Sequence, residues 1–153
     1  MAIQIGIHYQ KELESPLSAP QTMDFFWDFE RSLFPHFPGL KASENLGNDR
    51  YHWIFSPLSY GGYNIQIEFQ TQFLREQNRI VVSSVPGVGF TTLDGAWSFY
   101  PAGGSTQVGF DFQIKGELAL PFFLKGVVAP AAEKELFKLF SQYINNVEKA
   151  IQS

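Results

Sequence analysis

The sequence predicts an α+β domain in which a curved antiparallel sheet of about six or seven strands wraps around a long C-terminal helix. Three observations predict this fold. Apolar and polar residues alternate along consecutive segments, turn residues separate those segments, and a stripe of apolar residues at helical spacing follows them. One-sided alternation over consecutive strands is typical of an antiparallel sheet with one dry face. That face needs a covering layer, which the C-terminal helix supplies.

The chain begins with a strand and a helix. Every second residue from position 3 to position 9 is Ile or Tyr, which predicts a half-buried strand that ends before Pro16. Ser18 is then the predicted N-cap of a helix, because Gln21 follows three residues later and completes a capping box. Apolar residues continue through the predicted helix at 22–34, and Pro35 ends it.

The middle of the chain predicts five further strands, separated by turns rich in glycine, proline or polar residues. Within each segment the apolar residues fall mainly on alternate positions, so one face of each strand is dry. The segments are 51–56, 65–73, 79–85, 93–99 and 107–115. Counting outward from the loop at 101–104 makes Trp97 and Phe110 near cross-strand neighbours, and we expect both to face the C-terminal helix.

The predicted C-terminal helix spans 133–151, where apolar residues recur at helical spacing and lysines occupy the exposed side. Upstream, residues 121–128 predict a preceding helical turn or two. Gly126 and Pro130 predict a kink or break there. We expect this segment to form part of a cavity rim and to move when a ligand enters.

Composition excludes several classes of protein. The chain has 153 residues, of which 17% are charged and 16 are Phe, so we expect one folded domain over residues 1–153 rather than a disordered chain. No apolar run approaches the ~18 residues of a membrane span. No basic residue precedes an apolar block at the N-terminus, so the expectation is a cytoplasmic protein without a signal peptide.

Charge and metal-binding residues exclude further partners. The net charge is −4 and the 11 Lys and Arg residues are dispersed, which argues against nucleic acid and against a polybasic membrane anchor. There is no cysteine, so disulfides and thiolate chemistry are excluded. The three histidines, at positions 8, 36 and 52, lack the spacing of a zinc motif, and neither a metal nor a cofactor is expected. The sequence leaves the oligomeric state open.

The order of these elements and several local patterns resemble the SRPBCC superfamily, which includes START lipid-transfer domains, polyketide cyclases and coenzyme Q-binding proteins. The similar segments are 18–30, the Pro-Gly turn at 38–39, 79–84, 95–101, 106–110 and 143–148. The resemblance implies a helix-grip fold, a curved sheet around the C-terminal helix. It also implies a cavity between sheet and helix that holds a lipid, sterol, quinone or polyketide.

The residues expected to bind such a ligand are mostly aromatic residues whose side chains lie on the apolar face of the predicted sheet. A pocket of this kind is mainly apolar with a few polar groups. Thr71 offers a hydroxyl either to a ligand or to a neighbouring carbonyl, and Arg75 either caps the cavity mouth beside an anionic head group or is a strand-end arginine. The predicted site comprises Trp53, Phe69, Thr71, Phe73, Arg75, Trp97, Phe99, Phe110, Phe112, Phe122, Phe137 and Phe140.

Three functions remain compatible with the sequence. The first is a non-enzymatic binder or carrier of a hydrophobic small molecule. The second is a small enzyme of the cyclase or dehydratase type, which needs ionisable residues inside the cavity; the sequence places no such catalytic set. The third is a protein-interaction module whose cavity is collapsed. An open cavity without titratable residues favours the first, a buried carboxylate or histidine the second, and a filled core the third.

Overall fold

A computed structural model of the chain describes residues 3–60, 62–87, 89 and 91–152. These residues contain nine strands: β1 (Ile3–Ser15), β2 (Leu40–Gly47), β3 (Arg50–Phe55), β4 (Leu58–Tyr60), β5 (Tyr63–Ile65), β6 (Glu68–Arg75), β7 (Arg79–Ser84), β8 (Thr91–Ala102) and β9 (Ser105–Leu118). The α-helices within them are α1 (Ala19–Trp27), α2 (Phe29–Ser32) and α3 (Lys125–Gln152). Single 3-10 turns follow α2 at Phe34–His36 and precede α3 at Phe122–Leu124.

Seven of the strands form one antiparallel sheet in the order β1-β9-β8-β7-β6-β3-β2, and β4 pairs with β5 in a separate hairpin. The inner face of the sheet is apolar and packs against α3, α1 and α2 in a single core. Trp97 and Phe110 lie directly opposite each other on β8 and β9, as expected from the sequence. The seven-stranded sheet and the 28-residue C-terminal helix confirm the predicted α+β helix-grip fold.

Three features of the secondary structure differ from the sequence-based expectations. Strand β2 was not predicted, because it lies at the sheet edge with none of its side chains buried and so shows no alternation. The strand predicted over 65–73 is interrupted at positions 66 and 67, so that β5 and β6 belong to different sheets. The helix predicted over 22–34 ends at Trp27, and after Asp28 the short helix α2 begins at Phe29.

The start of the chain's last helix also differs. Helix α3 begins at Lys125 and contains both Gly126 and Pro130 without an interruption. Proline cannot donate to the carbonyl four residues earlier, which here belongs to Gly126. The helix therefore lacks one backbone hydrogen bond in its second turn but continues.

Helix α3 runs alongside the edge strand β1. Near one end, a carboxylate oxygen of Glu133 accepts a hydrogen bond from the Gly6 amide at 2.8 Å, and near the other end the Gln152 amide donates to the Glu14 carbonyl at 3.4 Å. From Glu133 to Gln152 the helix rises about 28 Å, and from Gly6 to Glu14 the strand extends about 27 Å. The helix thus matches the strand in length and caps polar backbone groups at its open edge.

A close approach in the sheet generates the first prediction. A Cβ atom on Gly95 of β8 would lie 2.7 Å from Cδ1 of Phe112 and 2.8 Å from its Cα, and closer still to the carbonyl oxygen of Asp111. Gly95→Ala should therefore lower the free energy of unfolding by about 1–3 kcal/mol or more, measured by chemical denaturation, because the β9 backbone cannot yield.

The neighbouring strand offers a matched control. A Cβ on Gly109 of β9 would meet only ordinary contacts, 3.9 Å from Ser98 Cβ and Tyr100 Cε2. Gly109→Ala should leave stability unchanged or raise it slightly, since alanine restricts the unfolded chain more than glycine does. Equal effects of the two substitutions would contradict the steric account.

Candidate functional site

Two small voids lie between the inner face of the sheet and α3. Each has a volume of about 10 Å³, roughly the space that one water molecule occupies. The first void is lined by Phe37, Trp53, Phe55, Phe69, Leu93, Ile114, Leu136, Leu139 and Phe140. The second is lined by Leu33, Phe37, Trp53, Leu93, Trp97, Phe112, Phe140 and Tyr143. The two voids therefore adjoin, with Phe37, Trp53, Leu93 and Phe140 as their common wall.

Aromatic rings fill the space around the voids. The ring of Phe140 stacks on Phe112 with centroids 5.8 Å apart and meets the ring of Phe37 edge-on at 5.2 Å. Phe37 in turn stacks on Tyr143 at 5.1 Å. Offset-stacked and edge-to-face ring pairs are favourable arrangements, so this interior is a packed aromatic core rather than an open pocket.

The polar atoms of this interior form two indole–hydroxyl pairs. Trp97 Nε1 donates a hydrogen bond to the Tyr143 hydroxyl at 3.2 Å, and Trp53 Nε1 donates to Thr71 Oγ1 at 2.9 Å. Burial raises the pKa of the Tyr143 hydroxyl well above its usual value, and the hydrogen bond from Trp97 offsets only part of that rise. Tyr143 is therefore neutral in the folded protein.

Charged groups lie elsewhere. Among the described residues, no Asp, Glu, His, Lys or Arg side chain is buried. On β3 and β6, His52 Nε2 lies 2.5 Å from Glu68, and the Gln70 amide contacts His52 Nδ1 at 3.0 Å. On β1 and β9, His8 lies 2.6 Å from Asp111, and this hydrogen bond lowers the pKa of Asp111. These histidine–carboxylate pairs lie on the outer face of the sheet, opposite the face that lines the voids.

The structure brings together part of the predicted site. Five of the predicted residues line the voids: Trp53, Phe69, Trp97, Phe112 and Phe140. Four others are buried in the same core without lining a void: Thr71, Phe73, Phe99 and Phe110. The remaining three are partly or largely exposed and lie outside the voids: Arg75, Phe122 and Phe137.

Arg75 occupies a different part of the molecule. Its Nη2 donates to an Asp24 carboxylate oxygen at 2.6 Å, and its guanidinium lies 6.0 Å from the centre of the Trp27 ring. It lines an open surface concavity of about 590 Å³ between α1 and the turn that joins β6 to β7, together with Met23 and Phe99. Arg75 thus lines a surface concavity that shares no lining residue with either void.

Sequence reasoning missed several void-lining residues. Leu93 shares the parity of Trp97 and Tyr143 shares the helical stripe of Phe140, so both carried a signal that was assigned only to the core. Phe37 had no such signal, because it lies between Pro35 and Pro38 in a segment without periodicity. Its position depends on how the turn after α2 folds back against α3, where the Asn146 amide donates to the His36 carbonyl at 3.0 Å.

Known structures share this architecture. A START superfamily protein from Mycobacterium smegmatis is 17% identical, with a TM-score of 0.66 over 95% of this chain and 97% of that one. The Zhui aromatase/cyclase from Streptomyces sp. R1128 is 12% identical, with a TM-score of 0.60 over 95% and 91% of the two chains. A STAR-related lipid transfer protein from Xanthomonas axonopodis is 12% identical, with a TM-score of 0.61 over 95% and 86%.

These likenesses define the class of the fold. The chain has an SRPBCC/START-like helix-grip fold. No protein-family model matches the sequence, and no curated protein matches it. Within the described residues, no helix is long and apolar enough to cross a membrane.

The pair formed by Trp53 and Thr71 generates the second prediction. Thr71→Val keeps the shape of the side chain but leaves the buried indole N–H without an acceptor. We expect the free energy of unfolding to fall by about 1–3 kcal/mol in thermal or chemical denaturation. Thr92→Val, the same change at an exposed position of β8, should alter it by less than about 0.5 kcal/mol. A Thr71→Val protein as stable as Thr92→Val would show that the indole bond contributes nothing.

Proposed function

We propose that this protein binds an apolar small molecule between the sheet and α3, at the position of the two adjoining voids. The observation that carries the proposal is their common wall. Phe37 and Phe140 line both voids and meet edge-on, so a shift of these two rings would join the voids into one slot. Every side chain along that slot is aliphatic or aromatic, and none of them is charged, as expected of a site for a hydrophobic ligand.

The slot must widen before a ligand fits. Small-molecule sites usually have volumes of about 300–1,000 Å³, far more than the voids provide. The start of α3 supports an opening there. Phe122 and Phe123 in the turn before α3 are 51% and 79% exposed, and Val127 in the first turn of α3 is 72% exposed. This segment is held to the core by the partly buried Leu124 and by the small buried side chains of Val128 and Ala129. Gly126 and Pro130 weaken it further.

The names of the similar structures agree with this proposal, since they include a lipid transfer protein and an aromatase/cyclase. An enzyme of the cyclase type would need an ionisable group beside the ligand. The histidine–carboxylate pairs of this chain lie on the outer face of the sheet. The phenol of Tyr143 does line a void, but burial raises its pKa, so binding without chemistry is the better-supported alternative.

A second candidate function is a protein-interaction module with a permanently closed core. The tight ring packing around the voids favours it, because a filled interior offers nothing to a small molecule. The two candidates differ in one property: only the first requires that the interior admit an apolar molecule from solution.

The third prediction tests that property with tetralin, an uncharged two-ring hydrocarbon, by nuclear magnetic resonance. Trp53 and Trp97 line the slot, whereas Trp27 lies on α1 beside Phe29 and Arg75. Titration should shift the indole N–H signals of Trp53 and Trp97 in a saturable way and leave that of Trp27 unchanged. Equal shifts of all three signals, or none at millimolar protein, would favour the interaction module.

A matched pair of variants sharpens this test. Leu136→Ala enlarges the first void, and Leu13→Ala removes an equally buried leucine of β1 that does not line it. Each should lower stability by about 2–5 kcal/mol. Only Leu136→Ala should bind tetralin more tightly, because a dry apolar cavity takes up small aromatic molecules. If Leu13→Ala gains as much affinity, the ligand does not occupy this slot.

The fourth prediction concerns the opening itself. The backbone amides between Pro121 and Pro130, in the 3-10 turn and the first turns of α3, should exchange hydrogen with solvent faster than those of 137–147 in α3, because their local free energy of opening is lower. Saturating tetralin should slow exchange in 121–130. Equal protection of both segments in the free protein would exclude the start of α3 as the gate.

A further inference from the structure

The surface concavity beside Arg75 is much larger than the two voids, and the proposed function makes no use of it. It has a volume of about 590 Å³, within the range of about 300–1,000 Å³ that is usual for small-molecule sites. This α1 groove is lined by residues 19, 20 and 23 of α1, by 75–78 at the end of β6 and in the following turn, and by 99 and 101 of β8. It offers a ligand enough space without any rearrangement of the core.

The walls of the α1 groove are held in place by hydrogen bonds. The Phe99 amide donates to the Asn78 carbonyl at 2.9 Å, which ties the turn between β6 and β7 to β8. At the start of α1, the Gln21 amide donates to the capping oxygen Ser18 Oγ at 3.3 Å. A site whose walls are already fixed loses little conformational freedom when a ligand binds, so the groove is preorganised.

The α1 groove combines an apolar floor with a polar rim. Met23 and Phe99 line it although both belong to the buried core, so they form its floor. Arg75 and the exposed residues Gln77 and Asn78 form its rim. Such a surface is complementary to a molecule that has an apolar body and one polar group.

Arg75 is the cation among the residues that line the groove, and most of its donors are unused. A guanidinium carries several N–H donors in one plane, but within the described residues only one hydrogen bond is donated by this side chain, from Nη2 to Asp24 at 2.6 Å. The Asp24 side chain is 68% exposed, so the two groups form a surface ion pair of small net stability. Arg75 can therefore bind a second carboxylate beside Asp24 or in its place.

We propose that the α1 groove is a second binding site, separate from the slot under α3, and that it takes a compact ring compound with a single carboxylate. The ring lies on the floor formed by Met23 and Phe99. The carboxylate accepts hydrogen bonds from the Arg75 guanidinium, whose planar donors match the two oxygens of a carboxylate.

The charges around the groove limit the ligand to one negative group. Glu76 also lines the groove, and its carboxylate is paired with Arg79, which does not line it. A second negative charge on the ligand would be repelled by Glu76 and would find no further cation among the lining residues. Monocarboxylates are therefore preferred to phosphates and dicarboxylates.

The first experiment titrates the wild-type protein with benzoate and with benzamide, two probes that share a ring and differ in charge. Because the Arg75 guanidinium lies 6.0 Å from the centre of the Trp27 ring, benzoate should shift the Trp27 indole N–H signal in a saturable way. The signals of Trp53 and Trp97 should not move. Benzamide should bind at least about threefold more weakly, and added salt should raise the dissociation constant of benzoate.

Variants test the role of Arg75. Arg75→Gln should weaken benzoate binding by about three- to tenfold and change benzamide binding by less than about twofold. Arg31→Gln is the matched control, because Arg31 also lies over an aromatic ring, 5.5 Å from the centre of Phe25, but does not line the groove. It should leave both affinities unchanged. Asp24→Asn should strengthen benzoate binding, since it removes the carboxylate that competes for Arg75.

The outcomes also separate this inference from the proposed function. Equal affinity of benzoate for the wild type and Arg75→Gln, or equal affinity of the wild type for benzoate and benzamide, would overturn the carboxylate site. Shifts of Trp53 and Trp97 instead of Trp27, or no saturable shift at all, would overturn the groove as the place of binding. Saturating tetralin should leave the benzoate dissociation constant unchanged. Binding of benzoate without any binding of tetralin supports the groove and overturns only the proposed function.

Discussion

The structure depends on the covering of one apolar sheet face by α3, with α1 and α2 packed beside it. Seven antiparallel strands place most of their aromatic residues on the inner side, and the helices must bury them or the face would remain in water. The helix also follows β1, whose open edge it caps through Glu133 at Gly6 and Gln152 at Glu14. Because one element performs both tasks, its position is held from Glu133 to Gln152, whereas the turns before Glu133 lack such contacts with β1 among the hydrogen bonds of the described residues.

The choice of aromatic side chains for this interior has two consequences. Rings such as Phe37, Phe112 and Phe140 bury much area but have rigid, flat shapes, so their edge-to-face and stacked contacts leave small gaps where the sheet curves away from the helix. Close packing also requires that some backbone positions carry no side chain. At Gly95 the ring of Phe112 takes the place that a Cβ would occupy. The voids and the lack of space for a Cβ atom at Gly95 thus both follow from the packing of rigid rings.

The distribution of polar groups separates the two sides of the sheet. Histidines and carboxylates pair with each other on the outward parity, where water reduces the cost of their charge. The interior has neutral hydroxyl and indole groups that pair with each other, as Trp97 does with Tyr143, and the surface of both voids is apolar. Such an interior can hold a molecule by shape and apolar contact, but it offers no strong acid or base. Recognition of a neutral hydrophobic compound is the chemistry that this arrangement suits.

The sequence by itself determined the fold class, the parity of most strands and the face of the C-terminal helix, because alternation and helical spacing record which side of an element is dry. The site predicted on that basis includes void-lining residues such as Trp53, Trp97 and Phe140. It could not distinguish them from Phe73 and Phe110, which have the same parity but only fill the core. Tertiary structure decided that distinction. It also decided the position of Phe37 and the formation of the edge strand β2. A gap exists only where the curved sheet, the turn after α2 and the helix fail to meet, and no local pattern records a distance between separate elements.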